Sequence, residues 1–292
     1  MKKFIFLTCM IPASLLLMTG CASLKSTAGK SGTTLAYHRS PGKSYTLKSV
    51  SSSTITTEQM GQSVTVDMSS SGETVYRTIA ANPDGTTGYE MEYKAMKQSA
   101  KTPMGDNDTD FSSWIGKKVR FSLSPRGALS GFSGFDQLPE LTTATGEKVT
   151  GEITQKGMAN QFAELPEHPV KTGDTWTTNN SYEFPYSGGT LKQEETAVYT
   201  VAEKVNKDGL ECLKLDVSGV EKLSGKFEAQ GTEVEMTRET KSTGIIYFAI
   251  EKGMYVSMEY TSKGSSQIYV PAASMTIPQE IKSKVTLAVV FN

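Results

Sequence analysis

The residue best placed to do chemistry is Cys21, which closes the run Leu17-Met18-Thr19-Gly20-Cys21. A thiol at a membrane face is the nucleophile that takes a diacylglycerol, and the small Thr19 and Gly20 let a peptidase reach the bond before it. The preceding residues are suited to bring it there. Lys2 and Lys3 are followed by an apolar run from Phe4 to Met18, the basic and apolar regions of a secretory signal. A membrane-spanning helix needs roughly 20 apolar residues, and this run is shorter and interrupted by Pro12. The sequence therefore predicts export, cleavage before Cys21 and lipid on that cysteine.

Other reactive residue types are present without a reactive arrangement. Cys9 lies in the signal and Cys21 carries lipid, so Cys212 is left as a lone cysteine, read as a packed thiol. Asp106-Asn107-Asp108-Thr109-Asp110 has the alternating carboxylates of a calcium loop, but Phe111 and Lys117 stand where an EF-hand needs glycine and glutamate. His38 and His168, the two histidines, are far apart and form no local metal motif. Gly131-Phe132-Ser133-Gly134 lacks the spacing of a nucleophile elbow and follows a turn rather than leading into a helix. Trp114 and Trp176 follow polar loops and are expected to anchor the core. No catalytic residues, metal or cofactor are assigned. A formal net charge of -1, from 30 basic and 31 acidic residues, argues against nucleic acid as a partner.

The elements that carry these residues read as strands. Tyr89-Glu90-Met91-Glu92-Tyr93 and Val119-Arg120-Phe121-Ser122-Leu123-Ser124 alternate apolar and polar side chains, as antiparallel strands with one wet face do. Turn residues punctuate them at Asn82-Pro83-Asp84-Gly85, Ser124-Pro125-Arg126-Gly127, Lys207-Asp208-Gly209 and Glu251-Lys252-Gly253. One stretch differs. Between Gly146 and Phe162, Val149, Ile153, Met158 and Phe162 fall near helical spacing, which predicts a short amphipathic helix weakened by Gly151 and Gly157 and ended by Pro166 and Pro169.

The chain also repeats itself. Gly42-Lys43-Ser44-Tyr45 opens a strand, and Gly173-Asp174-Thr175-Trp176 does so 131 residues later (173 − 42). Val75-Tyr76, Asp84-Gly85 and Tyr89–Tyr93 correspond in order and phase to Val198-Tyr199, Asp208-Gly209 and Leu213–Val217. A third pair sets Val119, Phe121 and Leu123 before Gly127 against Ile246, Phe248 and Ile250 before Gly253. Ordered matches of this kind predict a duplicated β unit. The expected division is a signal peptide (1–20), a lipidated tether (21–33) extending at most about 40 Å, a first β unit (34–145), a helix and connector (146–168) and a second β unit (169–292).

Three resemblances follow from these residues. Leu17 to Cys21 resembles the lipobox of bacterial lipoproteins, with Met18 where leucine is usual. Gly42 to Tyr45, Phe121 to Gly127, Leu165 to Trp176 and Tyr247 to Tyr260 resemble a family of uncharacterised bacterial lipoproteins known only as a domain of unknown function. That resemblance brings no activity, substrate or catalytic residue. In architecture alone, a lipid-anchored curved sheet with a helix against its concave face is similar to the lipoprotein carriers of the LolA and LprG kind.

The sequence is thus read as a mainly β protein: one or two curved antiparallel sheets built from two similar units, with one short connecting helix. It is expected to be held to the membrane by the lipid on Cys21. Ala22 and Ser23 are not the aspartate that tends to hold such proteins in the inner membrane, so the outer membrane is favoured in a Gram-negative cell, and otherwise the outer face of the cytoplasmic membrane. The leading function is non-enzymatic binding of an apolar or amphiphilic ligand such as a lipid, in a pocket that draws on Met91, Tyr93, Phe121, Leu215 and Phe248. A structural or protein-interaction module of the envelope is the alternative, and an envelope hydrolase the third reading.

Overall fold

In a computed structural model of the chain the alternating segments extend into strands of up to 20 residues. The structure describes residues 32–59, 61–146, 148–158, 161–229 and 231–292; the signal segment and Cys21 lie outside the described residues. The first half contains β1 (Ser44–Gln59), β2 (Gln62–Ala81), β3 (Thr87–Thr102), β4 (Gly105–Asp108), β5 (Lys118–Leu123) and β6 (Leu129–Ser133). Between the two runs of long strands lie β7 (Leu141–Thr142), β8 (Lys148–Val149) and the helix α1 (Gly151–Met158). The second half contains β9 (Thr175–Tyr186), β10 (Gly189–Lys207), β11 (Leu210–Ala229), β12 (Thr232–Ala249), β13 (Met254–Val270) and β14 (Met275–Phe291).

Twelve of these strands form one antiparallel sheet that curves without closing. The order is β6-β5-β3-β2-β1-β14-β13-β12-β11-β10-β9, with β4 beside β3. The last strand sits in the middle, pairing β1 on one side and β13 on the other, and so joins the two halves.

The halves match in detail. Tyr45 on β1 stands opposite Tyr76 on β2, their rings stacked with centroids 4.8 Å apart. Trp176 on β9 stands opposite Tyr199 on β10, stacked at 5.1 Å. Both pairs are followed by a bulge two residues on, between Thr78 and Ala80 and between Val201 and Glu203. The backbone N–H of Gly42 donates to Thr78 and that of Gly173 to Val201, at 2.9 and 2.8 Å, and each glycine has a positive φ. Bulges bend a strand and tighten its twist, so both halves bend at equivalent places.

The concave face collects the apolar positions. Tyr89, Met91, Tyr93, Phe121, Leu123, Leu213, Leu215 and Phe248 all belong to one buried cluster. Leu35 and Tyr37, ahead of β1, Phe162 and Leu165, in the connector, and Val170, just after it, join it from the open side. Trp114 and Trp176 are buried there, their indole N–H groups donating to the carbonyls of Pro139 (2.8 Å) and Glu164 (2.9 Å). The helix is shorter than its sequence pattern. Thr150 caps it, its hydroxyl accepting from the Ile153 N–H, and Glu152 pairs with Lys156 one turn on. A Cβ at Gly151 would fall 1.8 Å from the carbonyl oxygen of Phe135, so glycine lets the helix begin tight against that turn.

Candidate functional site

β3 and β9 have seven strands between them in the sheet order. In a flat sheet they would lie roughly 38 Å apart at about 4.8 Å per strand. Instead they line the same cavity, because the sheet curls and α1 sits in the gap. The cavity has a volume of about 420 Å³, within the range of small-molecule sites. Leu47, Tyr76, Met91, Tyr93 and Met96 form one wall, Tyr182, Phe184 and Tyr186 of β9 another, and Ile153, Gly157 and Met158 of α1 a third.

Polar groups are few. Gln161 Nε2 donates to the Tyr76 hydroxyl at 2.8 Å, and burial holds the phenols of Tyr76 and Tyr93 above their ordinary range. Both phenols are therefore neutral at physiological pH. Lys148 and Lys156 reach the cavity wall, each already paired, with Glu140 and Glu152. Gln193 marks one end, where its amide donates to Glu221 at 3.2 Å.

Beyond Gln193 lies a buried polar layer. Glu221 pairs with Arg238, whereas Glu195, 3 % exposed, has both carboxyl oxygens without a partner. Burial first, and then the neighbouring Glu221, push the Glu195 carboxyl up to about 8. This layer separates the main core from a second apolar cluster of Leu191, Leu223, Val234, Met236 and Ile268.

The residues expected to form a pocket divide. Met91 and Tyr93 line the cavity; Phe121, Leu215 and Phe248 do not. Those three lie in the packed core, where the connector and the segment before β1 fill the concave face. Phe121 meets Phe162 with ring centroids 6.3 Å apart, and Phe248 meets Tyr37 at 5.6 Å. Tyr182, Phe184 and Tyr186 were not singled out from sequence, although their alternation with Glu183 and Pro185 is a legible strand signal.

The other reactive residues are dispersed. Asp106 and Asp108 lie on β4, exposed, while Asp110 accepts from the Ser112 N–H. Among the described residues no three of His, Cys, Asp and Glu are grouped to hold a metal ion. His38 packs against Gly253, and His168 is half-buried in the connector. Cys212 is buried, and burial raises its thiol. Ser133 is exposed on β6.

Residues 73–255 match the model of a family of unknown function, DUF6263. No curated protein matches the sequence. Solved structures that align with it include a BenF-like porin from Pseudomonas fluorescens Pf-5, 7 % identical, with a TM-score of 0.20 over 85 % of this chain and 99 % of that one. The translocator domain of the autotransporter NalP from Neisseria meningitidis is 9 % identical, with a TM-score of 0.21 over 86 % and 89 %. A DUF1329 family protein from Desulfovibrio piger ATCC 29098 is 9 % identical, with a TM-score of 0.13 over 83 % of each chain. Scores this low bear on neither fold nor function.

Proposed function

We propose that this chain, which belongs to the DUF6263 family of unknown function, is a lipid-anchored protein of the cell envelope that binds an apolar or amphiphilic ligand without transforming it. The observation that supports the reading is the cavity of about 420 Å³ between α1, the edge strand β9 and the strands β1 to β3 that curve round to face it. Its walls are mostly aliphatic, aromatic and methionine side chains, and methionine adapts to irregular ligands. A volume of this size accommodates on the order of a dozen methylene groups, taking each to be about as large as a water molecule. The helix that walls it is only eight residues long and contains Gly157, so its intrinsic stability is low. A marginal helix over an apolar cavity suits a cover that opens to admit a chain.

The anchor is the other half of the proposal and rests on the sequence from Leu17 to Cys21. Acyl chains buried at about 0.8 kcal/mol per methylene hold a protein firmly when several are present. The deciding experiment on the ligand uses residues 22–292, which contain every described element. A fluorescent fatty acid is titrated into this detergent-free protein, and native mass spectrometry asks whether a lipid copurifies. Saturable binding that lipid displaces supports the reading. No binding, with no copurifying lipid, removes it and leaves the interaction-module alternative.

A further inference from the structure

The apolar cavity does not end at its own walls. A second cavity of about 230 Å³ adjoins it, and Ser49, Met96, Val149 and Thr154 line both. The two differ in chemistry. The remaining polar lining of the second is hydroxyl and amide: Ser70, Ser71, Gln98, Thr109 and Thr143. Its charged lining residue among the described residues is Lys97, which is exposed, and no carboxylate of the described residues lines it.

These groups offer both halves of a hydrogen-bonding site. Thr154 donates its hydroxyl proton to the Thr150 carbonyl and keeps oxygen lone pairs with which to accept. Gln98 accepts the Thr109 hydroxyl at its Oε1, which leaves its amide nitrogen as a donor. Trp114 and Phe111 supply flat apolar surface. The Trp114 N–H is already taken by the Pro139 carbonyl, so the indole presents carbon to this chamber. Across the partition Trp114 lies against Tyr93, which faces the first chamber, with ring centroids 5.5 Å apart.

We propose that the two chambers hold one amphiphile, with its acyl chain in the first and an uncharged polyol head, a glycerol or a single hexose, in the second. The inference rests on the ligand-binding reading above and specifies its ligand class. An ionised head is disfavoured, because a buried charge needs a buried partner, and the one charged group that the described residues bring to the chamber, Lys97, is exposed to water. A polyol is favoured, because each of its hydroxyls both donates and accepts, and its C–H faces can rest on the aromatic rings.

The test is competition against the fluorescent fatty acid bound to residues 22–292, with ligands that differ at the head. Monolaurin and decyl glucoside carry polyol heads, laurate an anionic one and dodecylphosphocholine a zwitterionic one. Monolaurin and laurate share one acyl chain, so their difference reports the head alone. The polyol ligands are expected to displace the probe at concentrations about tenfold lower. Ser70→Phe, which fills the second chamber, is expected to remove that advantage and leave laurate affinity within about twofold, which also shows that the variant folds. Equal competition by all four ligands, or equal weakening of all four by Ser70→Phe, overturns the polyol assignment while probe binding stands. Failure of the probe itself to bind overturns the ligand-binding reading and this inference with it.

Discussion

Glu195 stands directly opposite Glu221 across the β10–β11 ladder, and Arg238 pairs with Glu221 while Glu195 has no partner at either oxygen. Asn180 on β9 is its other cross-strand neighbour, and the phenols of Tyr199 and Tyr260 lie close enough to feel its charge. None of these supplies a cation to it. The carboxyl is therefore held protonated in the fold, up to about pH 8, against an ordinary value of 4.5.

Stability should follow that proton. The folded state retains it between about pH 4.5 and 8 where the unfolded chain releases it, so this group's contribution is full below that window and lost as pH rises through it. The slope is about 1.4 kcal/mol per pH unit. Glu195→Gln should lack this slope and exceed the wild type in stability at pH 8. Urea unfolding of both proteins from pH 5 to 9 checks it, and parallel pH profiles would refute the assignment.

The helix offers a paired test. Gly157 has open space where a Cβ would go, so Gly157→Ala should stabilise the protein by up to about 1 kcal/mol through helix propensity. Gly151→Ala should destabilise it, because the new methyl meets the Phe135 carbonyl. Thermal unfolding measures both, and effects of the same sign would contradict the way the helix is seated.

Gly127 has a φ of 106° and Gly253 one of 58°, and each turn abuts another segment. A Cβ at Gly127 would come within 2.6 Å of the Ala163 carbonyl, and one at Gly253 within 2.7 Å of the His38 backbone N. Valine at either place should cost at least about 1–2 kcal/mol for the backbone alone. Chemical denaturation decides it; a variant as stable as the wild type would mean that the turn adopts another conformation.

Ile153 lines the cavity from the helix and is only half-buried, so a large side chain there can be accommodated without breaking the sheet. Ile153→Trp should abolish binding of the fluorescent fatty acid while leaving the unfolding midpoint nearly unchanged. Undiminished binding would locate the ligand elsewhere.

For the anchor, metabolic labelling with a radioactive fatty acid should mark the wild type and not Cys21→Ser. Equal label in both would exclude lipid at that cysteine.

Much of this architecture was legible in the chain. Alternation at Tyr89–Tyr93 and Val119–Leu123 announced strands, and the order of Tyr76, Asp84 and Tyr89 against Tyr199, Asp208 and Leu213 announced the duplication. The bulges at Ile79 and Ala202, which bend the two units at equivalent places, leave no signature in alternation. Neither does the choice of which apolar residues stay uncovered. Phe121, Leu215 and Phe248 read like Met91 and Tyr93, and they differ only in that distant segments around Tyr37 and Phe162 fold over them. The cavity owes its aromatic wall of Tyr182, Phe184 and Tyr186 to β9, brought back by curvature accumulated over many strands, and no local pattern encodes that return.

The central position of β14 also bears on how the molecule is made. Asn292 reaches the Thr46 hydroxyl across 246 residues of chain, and β1 finds one of its two neighbours only in the final strand. The two halves become one sheet only when β14 pairs with both β1 and β13. Contacts so distant in sequence slow folding, and until they form β1 and β13 each present a bare edge, open to pairing with another chain. Loss of β14 would leave two half-sheets without the strand that pairs with both, so β14 acts as the latch that commits the two halves to a single sheet.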